Sequence, residues 1–335
     1  MRALVIEKPH EARVRNVPVP PLGERDILIA VKASGICGTD VHIFRGDYLG
    51  TYPIIPGHEF SGVVAETGSQ VTRFVVGDTV AVEPNISCDN CPACLGNRQN
   101  FCERWSGVGV TRPGGMAEYA AVPERAAFKM GNGSFLEGAF MEPLSCVIHG
   151  LERANARLGD RTLIVGAGPV GLLLSQVVRL KGAGEVTQVD RNKARRDLAR
   201  KNGAAYTHES LDDIQKDSFD LVVDATGVPA LMARAPDFTR KGGTVLWFGV
   251  PPRNGTLELP AFTLFEKGLS LCTSYTSVRN SQQAATLLET GKVTVSALVS
   301  HKLPLEGFLQ GIELIEKGLD GVLKVIIFPP SPTVS

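Results

Sequence analysis

Three side chains of metal-binding type lie close together in the first part of the chain. Cys37 stands in the segment Gly35–His42, and His58 and Glu59 follow after a short interval. A thiolate, an imidazole and a carboxylate are side-chain types that hold zinc, and a catalytic zinc has three protein ligands and one open position. The pattern predicts an open zinc site made by Cys37, His58 and Glu59. The alternative is a buried cysteine and a core histidine that never meet.

A second cluster consists of cysteines alone, separated by two, two and seven residues: Cys88, Cys91, Cys94 and Cys102. Four thiolates at such spacing are typical of a closed, structural zinc site. Bacterial ferredoxins also begin with a two-and-two spacing, but their next cysteine follows after three residues and precedes a proline. Here the last gap is longer and Glu103 follows. The spacing therefore favours structural zinc over an iron–sulfur cluster.

Polar residues directly after Cys37 could move a proton or support the metal ligands. The Thr39 hydroxyl can both accept and donate a hydrogen bond, which is what a proton relay requires. The alternative is a turn residue that stabilises Gly38. Asp40 and His42 are either supports that orient the ligands or polar residues of a loop.

Glu142 stands within an apolar pattern of helical period that extends over residues 136–154. A carboxylate in apolar surroundings needs a partner, although a charge at a helix N-terminus or facing solvent is the simpler interpretation. Zinc bound by one thiolate, one neutral imidazole and one carboxylate is neutral, and a second bound carboxylate would make the site negative. We therefore expect Glu142 to bind zinc through water or to exchange with substrate.

A dinucleotide-binding pattern begins at the strand Arg161–Val165, continues through a glycine turn and an apolar helix, and ends with the strand Glu185–Asp190. The turn contains Gly166, Gly168, Pro169, Val170 and Gly171. In this arrangement the glycines admit the pyrophosphate to the helix N-terminus, and the terminal acid accepts hydrogen bonds from the adenosine ribose.

Asp190 would repel a 2′-phosphate, so the sequence favours NAD over NADP. Four cationic residues follow closely: Arg191, Lys193, Arg195 and Arg196. They either weaken the preference for NAD by attracting a 2′-phosphate, or they form the solvent-exposed face of a helix.

The elements that position these residues change character along the chain. Short strands separated by Gly and Pro over the first ~130 residues predict a compact barrel or sandwich. Strands and helices alternate after Arg161, which predicts a doubly wound parallel sheet and an α/β protein overall. The late strand Val322–Phe328 has no glycine turn after it and is expected to return to the first domain.

Composition excludes several classes of partner. The 335 residues suggest about two domains of ~150 residues. Lys plus Arg and Asp plus Glu number 35 each, so the charge gives no reason to expect nucleic acid or an anionic membrane as a partner. No apolar run reaches about 18 residues, and the start does not have the pattern of a signal peptide. The expected compartment is the cytoplasm, where cysteines stay reduced.

Taken in order, these motifs resemble those of the zinc-containing medium-chain dehydrogenase/reductase family over essentially the whole chain. Glu59 and the element Glu142-Pro143-Leu144 are more similar to the polyol (sorbitol-type) branch than to the liver alcohol dehydrogenase branch, which places a cysteine near the position of Glu142. The resemblance implies a β-rich, GroES-like catalytic domain from residues 1–147 and 286–335. It also implies a Rossmann NAD-binding domain from residues 148–285, with the active site in the cleft between them.

The resemblance implies reversible, NAD-linked oxidation of a secondary hydroxyl of a polyol to a ketone, with one catalytic and one structural zinc per chain. The proton would leave through Thr39, with His42 in support, or through water at Glu142. A homotetramer or homodimer is implied as well. Arg195 would contact the adenosine ribose. The nicotinamide end would be lined by Phe248, Gly249, Val250, Thr273, Ser274 and Tyr275.

One position departs from the sorbitol-type pattern. Those enzymes carry an arginine just before the tyrosine that matches Tyr275, and here Ser274 stands there. The departure argues against sorbitol itself and favours a shorter or differently configured polyol. Two alternatives remain: the same chemistry on threonine, a diol or a simple alcohol, or a non-catalytic NAD-binding protein with purely structural zinc. Two zinc ions per chain would indicate the enzyme, and one the binding protein.

Overall fold

The computed structural model describes residues 1–47, 50–131 and 133–331. The chain folds into two compact units. The first comprises Met1–Pro143 and the segment from Ser281 onward, and the second is the contiguous stretch Leu144–Asn280. The sequence analysis places these boundaries a few residues later, after residues 147 and 285.

The β-strands are as follows: β1 Arg2–Lys8, β2 Glu11–Asn16, β3 Asp26–Ile36, β4 Glu59–Thr67, β5 Thr79–Val82, β6 Asn85–Ile86, β7 Ser106–Gly107, β8 Tyr119–Pro123, β9 Ala127–Lys129, β10 Arg161–Val165, β11 Glu185–Val189, β12 Tyr206–His208, β13 Phe219–Asp224, β14 Thr239–Trp247, β15 Ser270–Thr273, β16 Val299–Leu303 and β17 Lys324–Ile327.

The α-helices are as follows: α1 Gly38–Arg45, α2 Pro92–Leu95, α3 Phe135–Gly138, α4 Met141–Arg153, α5 Pro169–Leu180, α6 Lys193–Lys201, α7 Pro229–Met232, α8 Ala235–Phe238, α9 Ala261–Lys267, α10 Ser281–Glu289 and α11 Phe308–Lys317. No helix in the described ranges is long and apolar enough to cross a membrane.

The first unit is built on a sheet with the strand order β16-β17-β3-β4-β5-β9, and β8 pairs with the first half of β3. The late strand predicted from the sequence is β17, which runs antiparallel to β3 and places Ile326 opposite Gly35. On the other side of β3, Glu59 of β4 also lies opposite Gly35. Gly35 is thus the centre of a row that crosses three strands.

An apolar cluster fixes the transition from β3 to α1. Ile36 at the end of the strand and Val41 and Ile43 of the helix pack with Phe308 of α11 and Val325 of β17. These side chains are buried, so the start of α1 cannot shift without opening this core. Cys37, the residue between strand and helix, is held in place by the packing on both sides of it.

The second unit contains a parallel sheet with the order β12-β11-β10-β13-β14-β15. Numbered within the unit, this is the doubly wound order 3-2-1-4-5-6. The α/β class and the Rossmann sheet expected from the sequence are confirmed. In such sheets ligands bind at the carboxyl ends of the strands where the order reverses, which here is the point between β10 and β13.

Candidate functional site

The structure brings Cys37, His58 and Glu59 together in the first unit. Cys37 is the N-cap of α1, and Glu59 begins β4 directly after His58. One possible ligand atom from each of the three residues lies within 4.8 Å of the others. His58 and Glu59 are buried, whereas Cys37 is partly accessible. Three such donors with one accessible side fit a zinc ion that keeps an open position.

Asp40 fixes the backbone on both sides of this cluster. Its buried carboxylate accepts hydrogen bonds from the Cys37 backbone N–H through Oδ2 at 2.8 Å and from the Gly57 N–H through Oδ1 at 3.2 Å. Oδ1 also lies 3.6 Å from Nδ1 of His58, too far for a hydrogen bond. Within the described residues His58 Nδ1 has no hydrogen-bond partner. A buried imidazole of this kind fits a metal ligand that a nearby carboxylate orients.

The charges around His58 favour its positive form. Burial opposes protonation of the ring, but the carboxylate of Asp40 and the thiol of Cys37 outweigh that effect and hold the pKa of His58 well above its ordinary value. Because a metal binds the neutral imidazole, a raised pKa of His58 makes zinc binding at this site more sensitive to pH.

The sequence analysis missed Lys324, which is also part of this cluster. Its ammonium group is buried and forms an ion pair with Oε2 of Glu59. Burial opposes the charge of Lys324, but Glu59 and then Cys37 raise the pKa above its ordinary value. A charged residue inside the apolar run 322–328 was the sign that such a partner exists.

The predicted catalytic residues lie in the first unit, on α1 and at the start of α4. Thr39 occupies the second position of α1 and is partly accessible, while His42 lies in the last turn of α1 with Nδ1 2.7 Å from Oδ1 of Asp47. Glu142 lies in the first turn of α4 and is partly buried. Its carboxylate is not a member of the three-residue group, and the role of Glu142 at the metal stays a prediction.

The four cysteines also converge. The Sγ–Sγ distances are 3.9 Å for Cys88–Cys94, 3.5 Å for Cys91–Cys94 and 4.0 Å for Cys91–Cys102. A tetrahedral zinc with Zn–S bonds of about 2.3 Å places its sulfurs about 3.8 Å apart. The geometry therefore fits a closed zinc site, as the spacing predicts.

Two thiols of this lobe, those of Cys88 and Cys94, have pKa values shifted in opposite directions. Hydrogen bonds, chiefly from the Asn90 backbone, lower the pKa of Cys88 to about 6. Burial raises the pKa of Cys94 to about 12. Cys94 is the less acidic of these two thiols, so zinc binding to the four cysteines requires the metal to displace the proton of Cys94.

The glycine turn lies at the carboxyl end of β10 in the second unit. Gly166 has φ of 103°, a conformation that favours glycine. Gly168 is the N-cap of α5, whose first two residues are Pro169 and Val170. A Cβ at Gly171 would collide with the Gly166 carbonyl oxygen, so this position requires glycine. The helix N-terminus thus offers N–H groups to an anion beside a backbone that can be approached closely.

Asp190 follows β11, and its carboxylate connects the glycine turn after β10 to the loop before α6. Its oxygens accept hydrogen bonds from the N–H groups of Ala167 and Asn192, both at 2.8 Å. Arg195 lies in the first turn of α6, where its N–H donates to the Asn192 side chain. Asp190 and Arg195, the two residues predicted to contact the adenosine ribose, therefore lie in the loop after β11 and in the helix that follows it.

The other predicted cofactor residues lie at the same edge of the parallel sheet. Phe248, Gly249 and Val250 follow β14, and the N–H groups of Phe248 and Gly249 donate to the Asp224 carbonyl at 2.9 Å. Thr273 ends β15, with Ser274 and Tyr275 after it. The strands are parallel, so their carboxyl ends and the Gly166 turn share one edge.

Comparison with known proteins agrees with this architecture. Residues 23–132 match the family model "Alcohol dehydrogenase GroES-like domain", and residues 169–292 match the model "Zinc-binding dehydrogenase". The chain is similar to D-arabinitol dehydrogenase 1 of Uromyces fabae, with 32% identity over 93% of each chain. It is also similar to L-threonine 3-dehydrogenase of Bacillus velezensis, with 34% identity over 98% of this chain and 99% of the relative.

Among solved structures, a zinc-binding dehydrogenase from Sinorhizobium meliloti 1021 bound to NADP matches with a TM-score of 0.94. It has 33% identity, and the match covers 98% of this chain and 99% of the other. These comparisons extend over both units.

Proposed function

The chain belongs to the zinc-containing medium-chain dehydrogenase/reductase family, and on that premise we propose that it oxidises a secondary hydroxyl of a polyol reversibly to a ketone with NAD. The observation that carries the proposal is the convergence of Cys37, His58 and Glu59 on one point. A family member that only bound the nucleotide would have no use for a three-donor site with an accessible side.

In this proposal Cys37, His58 and Glu59 hold the catalytic zinc, and the four-cysteine lobe holds a structural one. When bound, zinc would lower the pKa of a hydroxyl group and NAD would take up the hydride. Thr39, two residues after Cys37, accepts the hydroxyl proton and passes it on. His42 lies three residues further along α1, on the same side of the helix, and is accessible to solvent. Glu142 supports the site through water.

The choice of NAD is supported by Asp190 at the end of β11, because an acid at this position of the fold accepts hydrogen bonds from the ribose hydroxyls and would repel a 2′-phosphate. The residues proposed to hold the cofactor are Gly166, Gly168, Pro169, Val170, Gly171, Asp190, Arg195, Phe248, Gly249, Val250, Thr273, Ser274 and Tyr275. The NADP bound to the Sinorhizobium meliloti relative makes the direct comparison of both cofactors necessary.

The relatives support two substrate classes. The similarity to D-arabinitol dehydrogenase 1 of Uromyces fabae favours a polyol. Glu59 and the element Glu142-Pro143-Leu144, which resemble the polyol branch, favour it as well. The L-threonine 3-dehydrogenase of Bacillus velezensis favours threonine, which also carries a secondary hydroxyl. We propose the polyol first, acting in the cytoplasm as a homotetramer or homodimer.

The test is oxidation by the zinc-loaded protein with NAD and with NADP. The panel contains polyols of four to six carbons in varied configurations, butanediol, threonine and ethanol. Turnover of one polyol with NAD supports the proposal, whereas turnover of threonine alone replaces the substrate and keeps the site. A Cys37→Ser variant is the control, expected to bind one zinc per chain and to be inactive. Wild-type protein that binds only one zinc per chain would contradict the proposed catalytic site.

A further inference from the structure

The ion pair between Lys324 and Glu59 joins strands that are not neighbours. Lys324 begins β17, Glu59 begins β4, and β3 lies between the two. Strands two apart are separated by roughly 9.5 Å, so the pair must cross the face of β3. It crosses at Gly35, where an added Cβ would collide with the Glu59 carboxylate and lie 2.8 Å from Cε of Lys324. The absence of a side chain at this position gives the pair its space.

Burial gives this pair its importance. The side chains of Lys324 and Glu59 are 7% and 2% exposed. A carboxylate at this depth requires a positive partner, because the loss of hydration is otherwise not compensated. Lys324 supplies that charge. Glu59 thus has a resident cation before any metal binds.

The acidic groups around Glu59 explain why the metal-free site needs the positive charge of Lys324. The cluster contains a thiol and two carboxyl groups, those of Cys37, Glu59 and Asp40, and Lys324 is buried against Glu59. With the metal in place, the positive charges of Lys324 and the metal are close together and both attract Glu59. A carboxylate has two oxygens, so one can stay on the ammonium while the other faces the metal.

We propose that Lys324 is a positioning residue that competes with the metal for Glu59: it neutralises the buried carboxylate in the metal-free protein and lowers the affinity of the three-donor site for zinc. The inference rests on the metal site proposed above. A carboxylate that already shares its charge with Lys324 donates less to the metal, which leaves the metal a stronger acid toward a hydroxyl group. The bond to Glu59 is also easier to exchange.

The test compares zinc binding and melting of the wild type with Lys324→Met and Lys324→Arg. Lys324→Met removes the charge and keeps the length of the side chain, so we expect at least about tenfold tighter zinc binding, which is the size of effect that one neighbouring charge has on the ionisation of another group. We also expect the rise in melting temperature on zinc loading to exceed that of the wild type, because the metal-free variant has an uncompensated Glu59. Lys324→Arg should resemble the wild type in both measurements.

Two controls separate this role from packing. Lys267, a partly buried lysine of the second unit that donates to the Pro236 and Thr239 carbonyls, provides the matched variant Lys267→Met. It should destabilise the metal-free and loaded proteins equally and leave zinc affinity unchanged. The double variant Glu59→Gln/Lys324→Met removes both charges and should recover the melting temperature of the metal-free protein.

Zinc binding by Lys324→Met that equals or is weaker than wild type overturns the inference, as do equal losses of melting temperature with and without zinc. If the metal-free Lys324→Met protein does not fold, zinc release to a chelator from the loaded protein is measured instead. Slower release than wild type supports the inference, and equal or faster release overturns it. Wild-type protein that binds a single zinc per chain would contradict both the proposed catalytic site and the role of Lys324. Wild-type protein that binds two zinc ions, with Lys324→Met unchanged in zinc affinity, would contradict only the role of Lys324.

Discussion

Thr39 is the residue on which the proposed proton transfer depends. It lies directly inside α1, close in sequence to Cys37, and its side chain is partly accessible. Thr39→Val keeps the shape of the side chain and removes the hydroxyl. We predict that turnover falls by about 10²–10⁴-fold, the usual contribution of a positioned proton-transfer group, while zinc content and NAD binding stay unchanged. Steady-state kinetics and metal analysis measure this.

Thr39→Ser is the matched control because it restores the hydroxyl on a smaller side chain, and most of the activity should return. Full turnover by Thr39→Val would remove the relay from the mechanism. It would leave Thr39 as a turn residue beside Gly38.

Asp190 governs the choice of cofactor in this proposal. Asp190→Asn removes the charge that would repel a 2′-phosphate and keeps one oxygen for the loop N–H groups. We predict that kcat/KM with NADP relative to NAD rises about tenfold, equivalent to ~1.4 kcal/mol. Asp197→Asn, on the exposed side of α6 where Asp197 pairs with Lys193, is the control and should leave the ratio unchanged. An unchanged ratio in Asp190→Asn would mean that Arg195 and its neighbours decide the preference.

Single residues were predictable from sequence where their chemistry is rare. Cys37, His58 and Glu59 could be selected because few other roles suit a cysteine, a histidine and a glutamate in one short stretch, and the structure brings their donor atoms together. Lys324 could not be selected, because its partner lies more than 250 residues away and across a strand. The apolar run around Lys324 indicates that its ammonium needs a partner, but it does not indicate which residue the partner is.

Among the elements, the four-cysteine lobe is the one that depends most on its metal. α2 has only one turn, and the lobe's own apolar cluster consists largely of the cysteines themselves. We predict that Cys94→Ser loses one of two zinc ions per chain and lowers the melting temperature by at least about 5 °C, because metal binding supplies folding free energy in such small lobes. Metal analysis and thermal melting measure these effects.

Cys272→Ser is the matched control for this prediction. Cys272 is a partly buried thiol of β15 outside both metal-ligand groups, so the variant should keep two zinc ions. Unchanged melting and zinc content in Cys94→Ser would show that the lobe is held by other contacts.

The end of β13 contains a buried acid, Asp224, whose oxygens accept hydrogen bonds from the Thr226 hydroxyl and the Gly227 N–H. Burial raises the pKa of Asp224 above its ordinary value, although those hydrogen bonds offset part of the effect. A folded-state pKa above the unfolded one contributes stability at low pH that is lost as pH rises through the folded value. At neutral pH the ionised group therefore costs stability.

We predict that Asp224→Asn melts higher than the wild type at pH 7, and that the difference shrinks as pH falls toward about 4, near the ordinary pKa of an aspartate. Thermal melting across this pH range measures it. Asp212→Asn should show the opposite sign, because a hydrogen bond from Arg234 lowers the pKa of Asp212. A difference that does not vary with pH would mean that Asp224 acts only through its hydrogen bonds.

Elements were predictable where their pattern is local. The strand, glycine turn and helix from Arg161 to Leu180 could be placed because the glycine pattern between strand and helix is local, and both Gly166 and Gly171 have a structural reason to be glycine. The arrangement of strands in the first unit was not predictable beyond a barrel or sandwich. The row β17-β3-β4 brings together segments from opposite ends of the chain, and pairing at such separation depends on packing.

At the scale of the whole molecule, one unit is continuous in sequence and the other is not. All six strands of the parallel sheet and its apolar core lie within Leu144–Asn280. We predict that a protein made of residues 144–280 folds cooperatively by itself and binds the dinucleotide. A protein of residues 1–143 alone should not fold, because β16, β17 and α11 contribute much of its core.

Circular dichroism with thermal melting and titration with NAD test both proteins. Adding residues 281–335 to residues 1–143 through a flexible linker is the matched control and should restore folding. A cooperative transition in residues 1–143 alone would contradict the prediction.

The discontinuous unit also sets an order in time. β3 and β4 are complete at residue 67, but Lys324 is not yet made, and at about 5–20 residues per second the delay is roughly 10–50 s. Until then Ser34, Gly35 and Ile36 have no strand beside them on one side, and the carboxylate of Glu59 has no ammonium to neutralise it. A nascent chain can therefore present Cys37, His58 and Glu59 to metals long before the site is finished. A ribosome that stops early releases a chain with an unpaired strand edge, which we expect the cell's chaperones and proteases to recognise.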